Sequence, residues 1–208
     1  GNEIEYTIDE ESTNSEFYQK TNVDQEARTI TNTFQVPGEN VIVRATKVWE
    51  DNENVAGKRP SNVTLQVKDG DRLVQSGIVN EENGWTYEFS VPKYDANGNE
   101  ITYTVDEANL KNIFYTRDNT EIIGSMTDGF TITNKFVVPD EKVEITLNKV
   151  WIDNDSQKNR RPEVVTINVL GEEEKVVQSY DLNVKEDETS HTFTDLPKYN
   201  NLGNEIQY

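Results

Sequence analysis

Apolar residues recur at every second position through short runs of this chain. Val41, Val43 and Ala45 alternate with Ile42, Arg44 and Thr46, and Ile101, Tyr103 and Val105 alternate with Thr102, Thr104 and Asp106. A period of two places each set on one face of an extended strand. Such runs predict strands near 40–50, 62–68, 72–79, 85–91, 100–106, 112–117 and 128–137. Asp69-Gly70, Asn83-Gly84 and Asn97-Gly98 fall between runs, where glycine supplies the positive φ of a hairpin turn. No stretch of helical period competes. The pattern predicts an all-β fold, an antiparallel β-sandwich whose strands each bury one face.

The runs come round again. Thr46-Lys47-Val48-Trp49 returns as Asn148-Lys149-Val150-Trp151, and Ile30-Thr31-Asn32 returns at the same spacing as Ile132-Thr133-Asn134. Lys58-Arg59-Pro60 matches Arg160-Arg161-Pro162, and Val91-Pro92-Lys93-Tyr94 matches Leu196-Pro197-Lys198-Tyr199. Gly-Asn-Glu-Ile occurs three times, at residues 1–4, 98–101 and 203–206. Val36-Pro37-Gly38-Glu39-Asn40 and Val138-Pro139-Asp140-Glu141-Lys142 are turn-rich breaks. They frame residues 1–36 as the C-terminal part of one repeat, 39–138 as a complete repeat and 141–208 as the N-terminal part of a third. A repeat of about 100 residues suits a tandem sandwich rather than a short-period solenoid.

Hydrophobic residues make up 33 % of the 208 residues, and mean hydropathy is −0.81. With regular alternation and aromatics in the runs, this describes thin β-domains with much exposed surface, not disorder. The formal net charge of −19 opposes binding to nucleic acid or anionic lipid, and a solvated acidic surface is its plain reading. There is no cysteine. That points either to a reducing compartment or to a staple other than a disulfide. No run approaches the roughly 18 apolar residues of a membrane-spanning helix. Gly1-Asn2-Glu3-Ile4 reads as a cut inside a strand.

Three polar residues sit on the wrong face. Lys47 shares parity with Val41, Val43, Ala45 and Trp49, and Lys149 does so with Val143, Ile145, Leu147 and Trp151. Asn134 lies in the stripe of Phe130, Ile132, Phe136 and Val138, as Asn32 does in that of Ile30, Phe34 and Val36. Glu107 follows Ile101, Tyr103 and Val105; Glu10 follows Ile4, Tyr6 and Ile8; Asp106 and Asp9 face the other way. Burying such groups costs several kcal/mol each unless they are paired or neutralised. One arrangement is a buried ion pair with an amide hydrogen bond, or side chains reaching round to water. The other is chemical. An apolar site favours neutral amine and protonated carboxyl, so Lys47 can attack the Asn134 amide carbon while Glu107 polarises the amide and carries the proton. The product is an intramolecular isopeptide bond, made once per domain.

Thr-Lys-Val-Trp, Lys-Arg-Pro, Leu-Pro-Lys-Tyr, Tyr-Thr-Val-Asp-Glu and Ile-Thr-Asn together resemble the Cna B-type domains of Gram-positive surface adhesins and pilins, over essentially the whole chain. The resemblance implies a reversed immunoglobulin-like sandwich. It also implies a first-strand Lys joined to a last-strand Asn beside a catalytic Glu, in a stalk on the bacterial cell wall. Lys47, Glu107 and Asn134 match that pattern. Glu10 and Asn32 match it in a repeat without its lysine, and Lys149 in a repeat without its acid and amide. These three form a split triad that two molecules could complete head to tail, since the linker of about five residues reaches at most ~17 Å.

Other chemistry is thinly represented. Asp153-Asn154-Asp155-Ser156-Gln157 has acidic calcium-loop spacing but lacks the turn glycine and closing glutamate, so a solvated turn is expected. Asp95-Ala96-Asn97-Gly98-Asn99-Glu100 is expected to be a hairpin loop, and the single histidine, His191, to be exposed. No metal or cofactor is called for. Trp49, Trp85 and Trp151 raise an alternative, a module binding extracellular matrix or glycan, although the parity of Trp49 and Trp151 assigns them to the core. The expected partners are neighbouring repeats and possible further copies of the chain; the host ligand is not legible.

Overall fold

The computed structural model describes all residues except 109, 118–121, 154–156 and 187. The described residues form β1 (Tyr18–Asp24), β2 (Thr29–Phe34), β3 (Asn40–Glu50), β4 (Asn62–Asp69), β5 (Arg72–Asn80), β6 (Thr86–Pro92) and β7 (Tyr103–Glu107). They continue with β8 (Tyr115–Thr116), β9 (Ile122–Ser125), β10 (Gly129–Phe136), β11 (Lys142–Asn148), β12 (Val164–Leu170), β13 (Val176–Asn183) and β14 (Ser190–Pro197). Among the described residues there are also three short 3-10 turns and no α-helix. The chain packs as two compact units: residues 1–48, 60–110 and 117–134, and residues 49–59, 111–116 and 135–208.

β3 to β10 build the immunoglobulin-like β-sandwich anticipated from the alternation. One sheet runs β6-β3-β10-β8 with β9 on β10; the other runs β5-β4-β7. The antiparallel register sets Val43 opposite Phe89 and Val41 opposite Val91. The first sheet thereby buries Val43, Ala45, Phe89, Val91 and Ile132; the second buries Val63, Leu65, Val67, Val79, Tyr103 and Val105. Between these two apolar faces lies the core.

Strand ends depart from expectation for local reasons. β6 starts at Thr86 because Trp85 takes φ +59°, closing the turn rather than opening the strand. The run from Glu100 orders as a strand only from Tyr103, with Glu100 in a single bridge to Tyr94. The expected strand at 112–117 contracts to Tyr115–Thr116. β9 was not anticipated; it pairs with β10 across the turn at residues 126–128, and Gly129, which opens β10, has φ +84°. Asn154, Asp155 and Ser156 of the acidic turn lie outside the described residues.

In the first unit β1 and β2 form a hairpin with one register shift. Residues 1–10 form no strand, and Ile4 and Tyr6 are exposed. Phe17 stacks on Phe34 with centroids 6.2 Å apart and meets Tyr94 edge-on at 5.1 Å. Gly98, at φ +82°, lies beneath the Phe17 ring.

In the second unit β11 pairs with β14 and β12 with β13. Val169, Phe193 and Leu196 form its core, packed against Val143, Ile145, Leu147, Ile167, Tyr180 and Tyr208. β4 lies between β5 and β7, but its counterpart β12 has only β13 beside it among the described residues. An aromatic contact repeats the one in the first unit: Phe114 meets Tyr199 edge-on at 5.4 Å and stacks on Phe136 at 6.4 Å. Here Gly203, at φ +69°, is so close that a Cβ would fall 2.7 Å from the Phe114 ring. His191, expected in solvent, is instead half-buried and stacked on Tyr180, because β14 presents its ring beside β13.

Candidate functional site

Lys47 lies near the end of β3, Glu107 ends β7 and Asn134 lies two residues before the end of β10. Alternation along each strand turns all three inward. They are 2 %, 5 % and 0 % exposed, and only Asp51 joins them as a buried polar or charged side chain among the described residues. Asn134 Nδ2 donates to Glu107 Oε1 at 3.0 Å and Oε2 at 3.2 Å. Lys47 Nζ is 3.7 Å from the same Oε2. It donates to the carbonyls of Val48 at 2.8 Å and Ile132 at 3.2 Å. Amine and amide thus converge on one carboxylate.

Burial pushes the Glu107 carboxyl above its ordinary value, against the opposing pull of Lys47 and of the Asn134 hydrogen bond. A protonated carboxyl is therefore favoured here more than at the surface. Asn134 Oδ1 is buried with no hydrogen-bond partner. An orphaned buried carbonyl costs about 1–3 kcal/mol. Rotating the amide exchanges its two ends, and a protonated Glu107 then donates to Oδ1.

The split triad falls in both units. In the first unit Asn32 Nδ2 donates to Glu10 Oε2 at 2.9 Å, the bond that Asn134 makes to Glu107. Glu10 is half-buried, but Asn32 is exposed, contrary to the parity expectation, because among the described residues β2 pairs only with β1, in a two-stranded sheet. Lys149 belongs to the second unit. It is half-buried, donates to the Val150 carbonyl at 3.1 Å and lies 4.0 Å from the centroid of the Trp151 ring.

The sequence reading missed one buried constellation. Asp51, 6 % exposed, accepts both ends of the Arg59 guanidinium at 2.8 and 2.6 Å and the Tyr115 hydroxyl at 2.8 Å. Arg59 holds the Asp51 carboxyl below its ordinary value, while burial raises the Tyr115 hydroxyl. Arg161 grips Asp153 in the same bidentate way at 2.8 and 2.6 Å. Parity contained the signal, since Asp51 continues the inward series Lys47, Trp49. Trp49 packs edge-on against Tyr115 at 4.9 Å, with the Arg59 guanidinium 5.7 Å from its ring. No group of three or more potential metal ligands occurs among the described residues.

The family described as the Cna protein B-type domain matches residues 43–135 and 145–208, and the chain belongs to it. A collagen adhesin of Staphylococcus aureus is 34 % identical over 209 residues; the match covers 100 % of this chain and 16 % of that protein. A crystal structure of two B repeat units of the collagen-binding protein Cna of Staphylococcus aureus is 32 % identical, covering 93 % of this chain and 48 % of that one, with a TM-score of 0.46. A single B repeat unit from the same protein is also 32 % identical, covering 81 % and 82 %, with a TM-score of 0.40.

Proposed function

We propose that this chain is a spacer segment of a bacterial cell-surface adhesin, framed as repeats at 1–36, 39–138 and 141–208. In this reading the central repeat is closed by an amide bond between Lys47 and Asn134. The observation that carries it is the convergence of Lys47 Nζ and Asn134 Nδ2 on the buried Glu107 carboxylate. The Lys47 proton passes to Glu107, leaving a neutral amine and a neutral acid, which the apolar site favours over the ion pair. Glu107 donates toward Asn134 Oδ1 and the amine adds to Cγ. The C–Nδ2 bond then breaks, and Nδ2 departs as ammonia with protons delivered through Glu107. One C–N bond forms and one breaks, so no oxidant or cofactor enters. Tryptic digestion followed by tandem mass spectrometry should reveal a branched peptide joining Lys47 to Asn134. Recovery of only the two linear peptides would refute the bond.

The spacer role is favoured over matrix or glycan binding by the packing of Trp49 against Tyr115 and Arg59, which engages its ring within its own domain. The split triad extends the same chemistry between molecules. The unpaired edge of β12 corresponds to the β4 edge that receives β7, where Leu65 is opposite Glu107 and Val67 opposite Val105. By that register, residues 6–10 of a second copy lie along β12, with Glu10 opposite Ile167 and Ile8 opposite Val169. Lys149 of one chain then bonds Asn32 of the next. Concentrated protein should give covalent ladders on a denaturing gel, and Lys149→Ala should abolish them. A single band from the unmodified chain at high concentration would refute this association.

A further inference from the structure

Glu107 and its neighbour Asp106 point to opposite sides of β7, and the solvent side is unusually well tied. Asp106 Oδ1 accepts the Glu107 backbone N–H at 2.8 Å. Arg117 Nη1 donates to Asp106 Oδ1 at 2.5 Å and to the Glu107 carbonyl at 3.2 Å. Lys68 Nζ, from β4, donates to Asp106 Oδ2 at 2.5 Å. Both backbone polar groups of Glu107 are therefore engaged by one aspartate–arginine pair. Desolvation raises the Asp106 carboxyl, yet Lys68, Arg117 and the Glu107 N–H outweigh it and keep it below its ordinary value.

The first repeat carries the same device with a different cation. Lys20 Nζ donates to Asp9 Oδ1 at 2.6 Å and to the Glu10 carbonyl at 2.7 Å. Lys20 follows Glu10 by the same number of residues as Arg117 follows Glu107. The local setting differs in one decisive respect. β7 is paired along β4, whereas residues 6–10 form no strand. Even so, Glu10 accepts the Asn32 amide at 2.9 Å, as Glu107 accepts that of Asn134. The cation–aspartate contact persists where sheet pairing does not, and the carboxyl still meets its amide.

We propose that Arg117, acting through Asp106 and the Glu107 carbonyl, is a positioning residue that aims the Glu107 carboxyl at Asn134 for cross-linking, and that Lys20 and Asp9 do the same for Glu10. This rests on the cross-linking reading above. In that role Arg117 fixes the backbone from which the reacting carboxyl hangs. A carboxyl displaced by about an ångström loses up to about a hundredfold in rate, so loosening this anchor slows the bond without removing any reacting atom.

The full chain, made by cell-free synthesis, is followed by intact mass as ammonia is lost. Arg117→Met should slow closure by about tenfold or more, and Arg117→Lys, the cation natural to the first repeat, should restore it to within about threefold of the unmodified rate. Asp106→Asn, which keeps the side-chain shape, should also be slow, and it serves if Arg117→Met does not fold. Melting in an Asn134→Ala background, where no bond forms, separates slow chemistry from lost stability. If the unmodified chain closes and Arg117→Met or Asp106→Asn closes as fast, the positioning role is overturned while the cross-link stands. Equal slowing by Arg117→Met and Arg117→Lys also overturns it. If the unmodified chain never loses ammonia, both proposals fall.

Discussion

Glu107→Gln exchanges one oxygen for nitrogen in a side chain that is 5 % exposed, so it leaves packing almost unchanged. Gln cannot shuttle a proton, and the bond should not form. The cross-link would close a loop running from residue 47 to residue 134, on the order of 90 residues, and a tie of that length contributes about 4–5 kcal/mol in the chain-entropy model. The change also leaves the buried Lys47 amine without its carboxylate, so the deficit should be no smaller than that. At about 4–8 °C per kcal/mol for a domain of 60–100 residues, that is a fall in Tm of roughly 16–40 °C. Differential scanning calorimetry on the variant, with its intact mass measured on the same sample, reads both quantities. The reasoning is refuted if the variant retains full mass but melts with the unmodified chain, or if it loses ammonia as readily.

Gly203→Ala should cost about 1–2 kcal/mol by forcing a non-glycine residue into the left-handed region, at a point where its Cβ would stand 2.7 Å from Phe114; a urea titration measures it. Asp51→Ala strips a buried acid from Arg59 and Tyr115 and should cost about 3 kcal/mol, less than a fully buried pair because the Arg59 side chain is 21 % exposed; an unchanged urea midpoint would contradict it. In an unlinked Asn134→Ala chain, Glu107 has a folded-state pKa raised above the ordinary 4.5. Its contribution to stability is therefore full below that value and lost as pH rises through the folded pKa. Tm of Asn134→Ala should fall over that rise, and adding Glu107→Gln should flatten the dependence.

Parity carried much of the fold and of the site into view. In β3 the inward series Val43, Ala45, Lys47 is buried and the alternating Ile42, Arg44 and Val48 are exposed, because a strand paired on both edges cannot rotate its side chains off their faces. Where pairing is missing, parity predicts direction but not burial. Residues 4–10 have the alternation of β7 yet form no strand, and β11 stops at Asn148 whereas β3 runs to Glu50 beside β10. β9 escaped notice because Ile122-Ile123-Gly124-Ser125 is too short to show a period; its pairing with β10 places it in the sheet. Asp51 was overlooked for a different reason. Its partners Arg59 and Tyr115 arrive from a loop and from a two-residue strand, neither of which alternation describes.

The central claim is that the protein carries a covalent bond its sequence does not encode as a disulfide. Intact mass of the purified chain under denaturing conditions tests it most directly. A mass one ammonia below that of the 208-residue sequence, restored to the full value in Lys47→Ala, is the expected result. The full sequence mass in the unmodified chain would contradict it.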